Sequence, residues 1–170
     1  MAINISPKII TDGLVLCLDA KDIKSYAGSG TTWTDRSGND NDGSIDGATF
    51  NSNGYFGLDG TNDKITTGAK LSSTESGSIY LFCKPSTPPN SYGHMLCYQG
   101  TSSGRIWVYV NTSSGGTIAL NTYFGTGKDF YLSSSDADPL DKWGLFTIME
   151  NFLPRLIYPP QVLIRGVVAI

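Results

Sequence analysis

The part of this sequence that constrains its fold most is a short apolar run followed by a long polar turn. Residues 14–18, Leu-Val-Leu-Cys-Leu, are continuously apolar, as is typical of a strand covered on both faces. Trp33 then precedes a segment, residues 34–43, that is crowded with Asp, Asn, Ser and Gly. These side chains bond nearby backbone amides, and glycine accepts positive φ, so the segment can turn repeatedly. The combination predicts a core strand and an ordered loop anchored by Trp33.

Composition and length point to an all-β domain. The chain has 170 residues, which is enough for one domain with a sizeable core. Charged residues make up 16% of it, against about 25% in average domains, and there are 20 glycines. Between residues 44 and 149, β-prone runs such as Ser44–Phe50 and Lys64–Thr67 alternate with turn signals at the spacing of a sandwich or barrel, roughly 8–12 residues. We therefore predict strands almost throughout and no helix longer than a turn or two.

A predicted hairpin at residues 56–65 completes an order of motifs that one known family shares. From Gly13 to about Trp143 the chain resembles the laminin-G-like, concanavalin A-like jelly-roll domains, which are common in bacterial surface proteins and phage virion proteins. The resemblance implies a two-sheet antiparallel jelly-roll sandwich, with functions that range over glycan binding, protein adhesion and purely structural roles. The architectural residues that carry it are Asp19, Trp33, Asp35, Ser37, Gly38, Gly43, Asp59, Gly60 and Asp63.

The C-terminal segment differs from the rest of the chain. Residues 152–170 contain no Ser, Thr, Asn, Asp or Glu, and Pro154, Pro159 and Pro160 interrupt them. The hairpin that usually follows the family's equivalent of Trp143 is missing, so the sandwich is abbreviated or the tail has another purpose. We divide the chain into an N-terminal arm (1–12), a jelly-roll domain (13–150) and an apolar C-terminal strand or docking arm (151–170).

Two interpretations of this tail stay open. It returns as the last strand beside the first one, or it docks on another subunit, because so long an apolar segment left exposed would promote aggregation. The second interpretation makes the protein part of an oligomer or a larger assembly. The candidate assembly residues are Leu156, Ile157, Val162, Ile164, Val168 and Ile170.

The sequence argues against an enzyme. A glycosidase needs two carboxyl groups that flank the scissile bond, yet neither glutamate, Glu75 nor Glu150, has a carboxylate two residues away. Asp136 and Asp138 form such a pair, but they lie in a serine-rich and proline-containing segment typical of a solvated loop. The single histidine, His94, has no nucleophile motif near it in the sequence. We predict a non-enzymatic protein, with a glycosidase that uses Asp136 and Asp138 as the least favoured alternative.

The candidate ligand-binding residues lie in and near the run from Arg105 to Asn111. Alternation places Ile106, Val108 and Val110 on one side of this strand and Trp107, Tyr109 and Asn111 on the other. In a jelly roll the aliphatic side packs between the sheets, which leaves the aromatic side for stacking on sugar rings. We predict that Trp107, Tyr109, Asn111 and the nearby Tyr123 bind a ligand. The alternative is that Trp107 and Tyr109 pack against a neighbouring loop or subunit.

No cofactor is expected, with calcium as a weak alternative. Calcium takes six to eight oxygen ligands, and related domains often bind it. Asp35, Asn39 and Asp42 in the first polar turn, or Asp59 and Asp63 in the later hairpin, supply such oxygens, although turn formation uses the same atoms. The three cysteines, Cys17, Cys83 and Cys97, have no metal-binding spacing and are predicted to be buried free thiols.

Charge and apolar patterning narrow the partners. The net charge of −3, the pI near 4.9 and the lack of a basic cluster argue against nucleic acid. No apolar run reaches the roughly 18 residues of a membrane helix, and the first residues lack a secretion signal. We predict a virion protein made in the host cytoplasm, such as a capsid decoration, head-fibre or tail-associated protein, with other virion subunits and host polysaccharide as partners. The alternatives are a purely structural, subunit-joining protein and a bacterial surface carbohydrate-binding module.

Overall fold

The chain is an all-β protein. A computed structural model describes residues 12–70, 77–86, 92–99, 104–111, 117–124, 130–133, 142–150 and 161–169. These residues form strands, turns and loops without a helix, which confirms the predicted class. Within them, nothing helical is both long and apolar enough to span a membrane.

The described part of the chain contains thirteen strands, joined by turns and loops. They are β1 (Leu14–Asp19), β2 (Thr32–Trp33), β3 (Gly43–Asp46), β4 (Thr49–Asn51), β5 (Tyr55–Leu58), β6 (Lys64–Thr67), β7 (Gly77–Cys83), β8 (Tyr92–Gln99), β9 (Gly104–Asn111), β10 (Thr117–Phe124), β11 (Phe130–Ser133), β12 (Gly144–Glu150) and β13 (Gln161–Ala169).

These strands form three hydrogen-bonded sheets. The six-stranded sheet has the order β12-β7-β13-β5-β4, and β1 also pairs with β13. The four-stranded sheet has the order β11-β10-β9-β8, and the three-stranded sheet has the order β2-β3-β6. Neighbouring strands are antiparallel except around β13, which runs parallel to β1, β5 and β7. A jelly roll has two sheets in which neighbouring strands are antiparallel. The observed arrangement differs from that expectation in its third sheet and in the parallel strand β13.

One hydrophobic core joins the three sheets. Trp33 of β2 and Phe56 of β5 are almost fully buried, with ring centroids 4.7 Å apart. In the same cluster, Cys83 of β7 meets Met95 of β8, with 3.6 Å between Sγ and Sδ, and Val108 of β9 is also a buried member. The six-stranded sheet therefore shares its core with the two smaller sheets, which is consistent with a β-sandwich.

Most predicted strands occur where the sequence indicates them, but the run from Ser44 to Phe50 is divided. The chain turns at Gly47, which has a φ of 82° and separates β3 from β4. A side chain at this position would collide with the carboxylate of Asp63 and would be strained by the positive φ. Glycine here lets the turn between β3 and β4 approach the turn between β5 and β6 closely. The predicted hairpin at residues 56–65 is wrong, because β5 pairs with β4 and β13 while β6 pairs with β3 in a different sheet.

The C-terminal strand lies inside the six-stranded sheet. Val162 is opposite Ile79 of β7, Ile164 is opposite Leu81, and Val168 is opposite Gly57 of β5. Because β13 also pairs with β1, the tail is placed beside the first strand of its own chain. The other candidate assembly residues, Leu156, Ile157 and Ile170, lie outside the described residues, as does the N-terminal arm up to residue 11.

Candidate functional site

The centre of the candidate site is an aromatic cluster on the four-stranded sheet. In β9, Val108 points into the core as predicted, so the neighbouring Trp107 and Tyr109 belong to the opposite face. The His94 ring from β8 lies 5.6 Å from the ring of Trp107 and 5.6 Å from that of Tyr109, measured between centroids. Tyr109 is 8% exposed, while Trp107 is partly exposed and His94 is exposed. Trp107 and His94 are therefore the accessible members of this cluster.

The register of the sheet brings the four predicted ligand-binding residues to one face. Trp107 lies between Cys97 and Asn121, Tyr123 lies opposite Arg105, and Asn111 lies between Tyr92 and Thr117. Directly opposed residues of antiparallel strands share a face, and alternate residues along a strand do too. The backbone thus places Trp107, Tyr109, Asn111 and Tyr123 on a common face with Gln99, Arg105 and Asn121. We call this the Trp107 surface.

Two titratable side chains border Trp107. Partial burial between the rings lowers the pKa of His94 below its ordinary value, which favours the neutral imidazole. Cys97 is exposed, so the prediction that this thiol is buried is wrong. The physical reason is its register: Cys97 lies opposite Trp107, on the face turned away from the core, whereas Met95 lies in the core. The Trp107 surface therefore carries a thiol that solvent can reach.

The other two cysteines are buried, as predicted. Burial raises the pKa of the Cys17 thiol to about 11 and that of Cys83 to about 12. A thiolate is the reactive form, so neither group is a nucleophile near neutral pH.

A second aromatic surface, which the sequence reasoning missed, lies on the six-stranded sheet. The indole of Trp143, just before β12, stacks on Phe82 of β7 with 5.2 Å between centroids and an interplanar angle of 11°. Tyr55 of β5 meets the same indole edge-on at 5.5 Å. Trp143 remains 42% exposed, and Leu145, opposite Phe82 in the ladder, is 59% exposed. We call these four residues the Trp143 surface.

The sequence carried a weak signal for this second surface. Phe82, Trp143 and Leu145 are apolar residues in strand-like runs, and a core position is the ordinary interpretation of such residues. The tertiary structure reverses that interpretation because β7 alternates: Leu81 and Cys83 point into the core, so Phe82 points away from it.

The first polar turn is held by one carboxylate, Asp35. Its oxygens accept hydrogen bonds from the amides of Cys17 (2.9 Å), Ser37 (2.9 Å) and Asn41 (3.1 Å) and from the hydroxyl of Ser37 (2.6 Å). Burial raises the pKa of Asp35, but the hydrogen bonds from Ser37, Cys17 and Asn41 together outweigh it and hold that pKa below its ordinary value. Asp35 therefore ties the turn to β1 as an ionised acceptor.

The other calcium candidates also bond the backbone. Asp42 accepts from the amide of Asp35 (2.8 Å), and the Asn39 side-chain amide donates to the carbonyl of Leu14 (2.7 Å). In the second turn, Asp63 accepts from the amide of Asp59 (3.0 Å), and Asp59 accepts from Thr61. Across the described ranges, no three Asp, Glu, His or Cys side chains come together as a metal site. Calcium at either turn stays a prediction.

The catalytic alternative is not tested by the geometry. Asp136, Asp138 and Glu75 lie outside the described residues, and Glu150 is the last residue of β12.

Comparisons of this chain with protein-family models, with curated proteins and with solved structures found no match.

Proposed function

We propose that this chain is a non-enzymatic, lectin-like structural protein of a virion whose Trp107 surface binds host glycans. The observation that carries the proposal is the face of the four-stranded sheet on which Trp107, Tyr109, Asn111 and Tyr123 share a side with Arg105 and Asn121. In finer detail, we propose a concanavalin A-like jelly roll that is abbreviated at its C-terminus.

The residue types on this face suit a sugar ring. A pyranose has apolar C–H faces and a rim of hydroxyl groups, so it is bound by an aromatic ring together with amide, carboxylate or guanidinium groups. The partly exposed Trp107 supplies the ring. The buried Tyr109 packs against the imidazole of His94, which also contacts the indole, so Tyr109 supports the cluster rather than offering a surface of its own. We assign stacking to Trp107 and a supporting role to Tyr109.

Display on a virion is supported by the resemblance of residues 14–65 to domains common in phage particles. One shallow site of this kind binds a sugar weakly, and many copies on a particle raise the overall avidity without any new contact. The second candidate function is a purely structural protein that joins subunits. The exposed Trp143 and Leu145 favour it, because exposed apolar residues beside each other mark protein interaction sites.

The test is a glycan array probed with the full chain, followed by solution titration with the best single oligosaccharide. Trp107→Ala should weaken that affinity roughly ten-fold or more, since a central aromatic anchor is typically worth about 2 kcal/mol and each 1.4 kcal/mol is a factor of about ten. Trp107→Phe should retain part of it, and Trp143→Ala, the same truncation on the other surface, should leave it unchanged. Thermal unfolding of each variant separates lost binding from lost folding.

A second approach leaves the indole intact. A bulky maleimide attached to Cys97, which lies opposite Trp107, should block the oligosaccharide, whereas the buried Cys17 and Cys83 stay unlabelled. Arrays without any binding, combined with tight binding to capsids, would replace the lectin-like function by the structural one. Hydrolysis of a glycan that is lost on changing Asp136 or Asp138 would overturn the non-enzymatic proposal.

A further inference from the structure

We propose that the ligand of the Trp107 surface is a saccharide that carries a carboxylate, and that Arg105 selects it. This inference deepens the proposed glycan binding and rests on it. The starting observation is the distribution of charge among the sheets. The strands of the four-stranded sheet, β8, β9, β10 and β11, contain one charged residue, Arg105, and no Asp or Glu. The strands of the other two sheets include the carboxylates of Asp19, Asp46 and Glu150.

The local charge on this sheet is opposite to that of the chain as a whole. The full sequence holds 15 Asp and Glu against 12 Lys and Arg, so its net charge of −3 repels anions on average. The register places Arg105 opposite Gln99 and Tyr123, at a position of the face that carries Trp107. Among the positions that these four strands contribute to the face, an anion therefore meets a cation and no carboxylate.

The polar residue types on this face suit a carboxylated sugar better than a neutral one. A neutral pyranose presents hydroxyl groups, which donate as well as accept hydrogen bonds, and a protein carboxylate is a strong acceptor for them. The face has amides at the positions of Asn111 and Asn121, but no such carboxylate within its four strands. Arginine only donates, and its planar fork of N–H groups matches the two oxygens of a carboxylate. Both features favour an acidic sugar.

The spacing along β9 allows one sugar unit to use both residues. Arg105 and Trp107 are alternate residues of this strand, so their Cα atoms are about 7 Å apart along it. An arginine side chain is long enough to bridge such a separation to a substituent of a ring that stacks on the indole. Uronic acids and sialic acids both carry a carboxylate on a pyranose ring, so a carboxylated pyranose is the chemistry that this pair of residues recognises.

The test compares acidic oligosaccharides with their methyl esters, which keep the ring and remove the charge. The probes are oligomers of galacturonic acid, glucuronic acid and sialic acid, each titrated against the full chain. For the preferred probe, we expect the acid to bind about three- to ten-fold more tightly than its ester, as for an exposed ion pair of good geometry. High salt should reduce this preference, because it screens exposed charges. The acid that binds best distinguishes a uronic from a sialic ligand.

Two variants assign the preference to a residue. Arg105→Gln should abolish it, so that acid and ester bind equally, whereas Trp107→Ala should weaken the binding of both. Arg105→Lys should keep part of the preference, since the charge remains without the planar fork. The matched control is Lys64→Gln, which also removes one positive charge but from an exposed ion pair with Asp46 in the three-stranded sheet. This control should keep the full preference, and thermal unfolding checks that each variant folds.

The outcomes separate this inference from the glycan proposal. Equal binding of acid and ester by the parent chain, or a preference that survives Arg105→Gln, would overturn the inference and leave glycan binding standing. An equal loss of preference in Lys64→Gln would also overturn it, because net charge rather than the position of Arg105 would then be the cause. A chain that binds no acid, no ester and no other glycan on an array would overturn both.

Discussion

The two aromatic surfaces of this protein are built from similar rings but present different chemistry. On the Trp107 surface the indole is only partly exposed, its ring contacts that of His94, and the register sets Trp107 between Asn121 and Cys97, whose thiol is accessible. On the Trp143 surface the indole stacks on Phe82, and its exposed neighbour is the aliphatic Leu145. An indole amid polar groups suits a ligand with hydroxyl groups. An indole amid apolar groups suits a protein surface.

The comparison teaches that the exposure of an aromatic residue does not by itself identify its partner. Trp143 is the more exposed indole, yet the residues placed around Trp107 can recognise a polar ligand. The groups around a ring decide between the two interpretations. The predictions below challenge this assignment, beginning with the largest expected effect.

Truncating each tryptophan should separate the core from the two surfaces. Trp33→Ala should lower the free energy of unfolding by about 3–5 kcal/mol, because it opens a cavity against Phe56 in the core. Trp107→Ala should cost roughly 1–2 kcal/mol, and Trp143→Ala about 1 kcal/mol or less. Urea unfolding at a concentration that keeps every variant monomeric measures all three. A cost at Trp143 equal to that at Trp33 would show that the Trp143 surface is part of the core.

Thiol reactivity should distinguish the two surfaces next. One of the three cysteines, Cys97, should react with a maleimide in the native protein, whereas the buried Cys17 and Cys83 should react only after unfolding. Trp107→Ala should speed labelling several-fold by uncovering the thiol opposite it, and Trp143→Ala should not. Mass spectrometry of the labelled peptides gives the site and the rate. Equal rates in both variants would mean that Trp107 does not shield Cys97.

The smallest effect should appear in the pH dependence of stability. Burial lowers the pKa of His94 in the folded state, so the unfolded chain takes up a proton first as the pH falls. The contribution of His94 to the free energy of unfolding is therefore fully present above the pKa that this group has in the unfolded chain, about 6.5. It declines as the pH falls from there through the pKa of the folded state. Urea unfolding at about pH 7.5 and about pH 5.5 should show this decline.

His94→Gln supplies the control for the pH series. His94 is the single histidine of the chain, so the decline between these two pH values should shrink in the variant. A variant that declines as steeply as the parent would show that the imidazole is not desolvated beside Trp107 and Tyr109.

Local features of the fold could be predicted from the sequence, while its pairings could not. The strand Lys64–Thr67 was predicted with the bounds it has, because turn residues flank a short β-prone run. The apolar run from residue 14 is buried in β1, as its continuity indicates. The division at Gly47 was missed, because the collision that requires glycine comes from Asp63, which lies in a different turn, between β5 and β6.

The candidate site was predictable in part for the same reason. The alternation of side chains along β9 correctly predicted that Val108 and Trp107 lie on opposite faces of the sheet, because the period of a strand is a local property. That His94 meets both Trp107 and Tyr109, and that Cys97 is exposed, follow from the register between β8 and β9. Register depends on how two segments align with each other, so the sequence of neither segment alone specifies it.

By itself, the sequence determined the all-β class, most strand positions and the network of the first polar turn, where Asp35 accepts bonds from Ser37 and Asn41 a few residues away. These features arise from propensities and contacts close along the chain. Tertiary structure decided that β13 lies between β7 and β5, that Phe82 and Trp143 stack outside the core, and which residues oppose Trp107. The physical reason is that burial and strand pairing depend on the alignment of segments far apart in the chain.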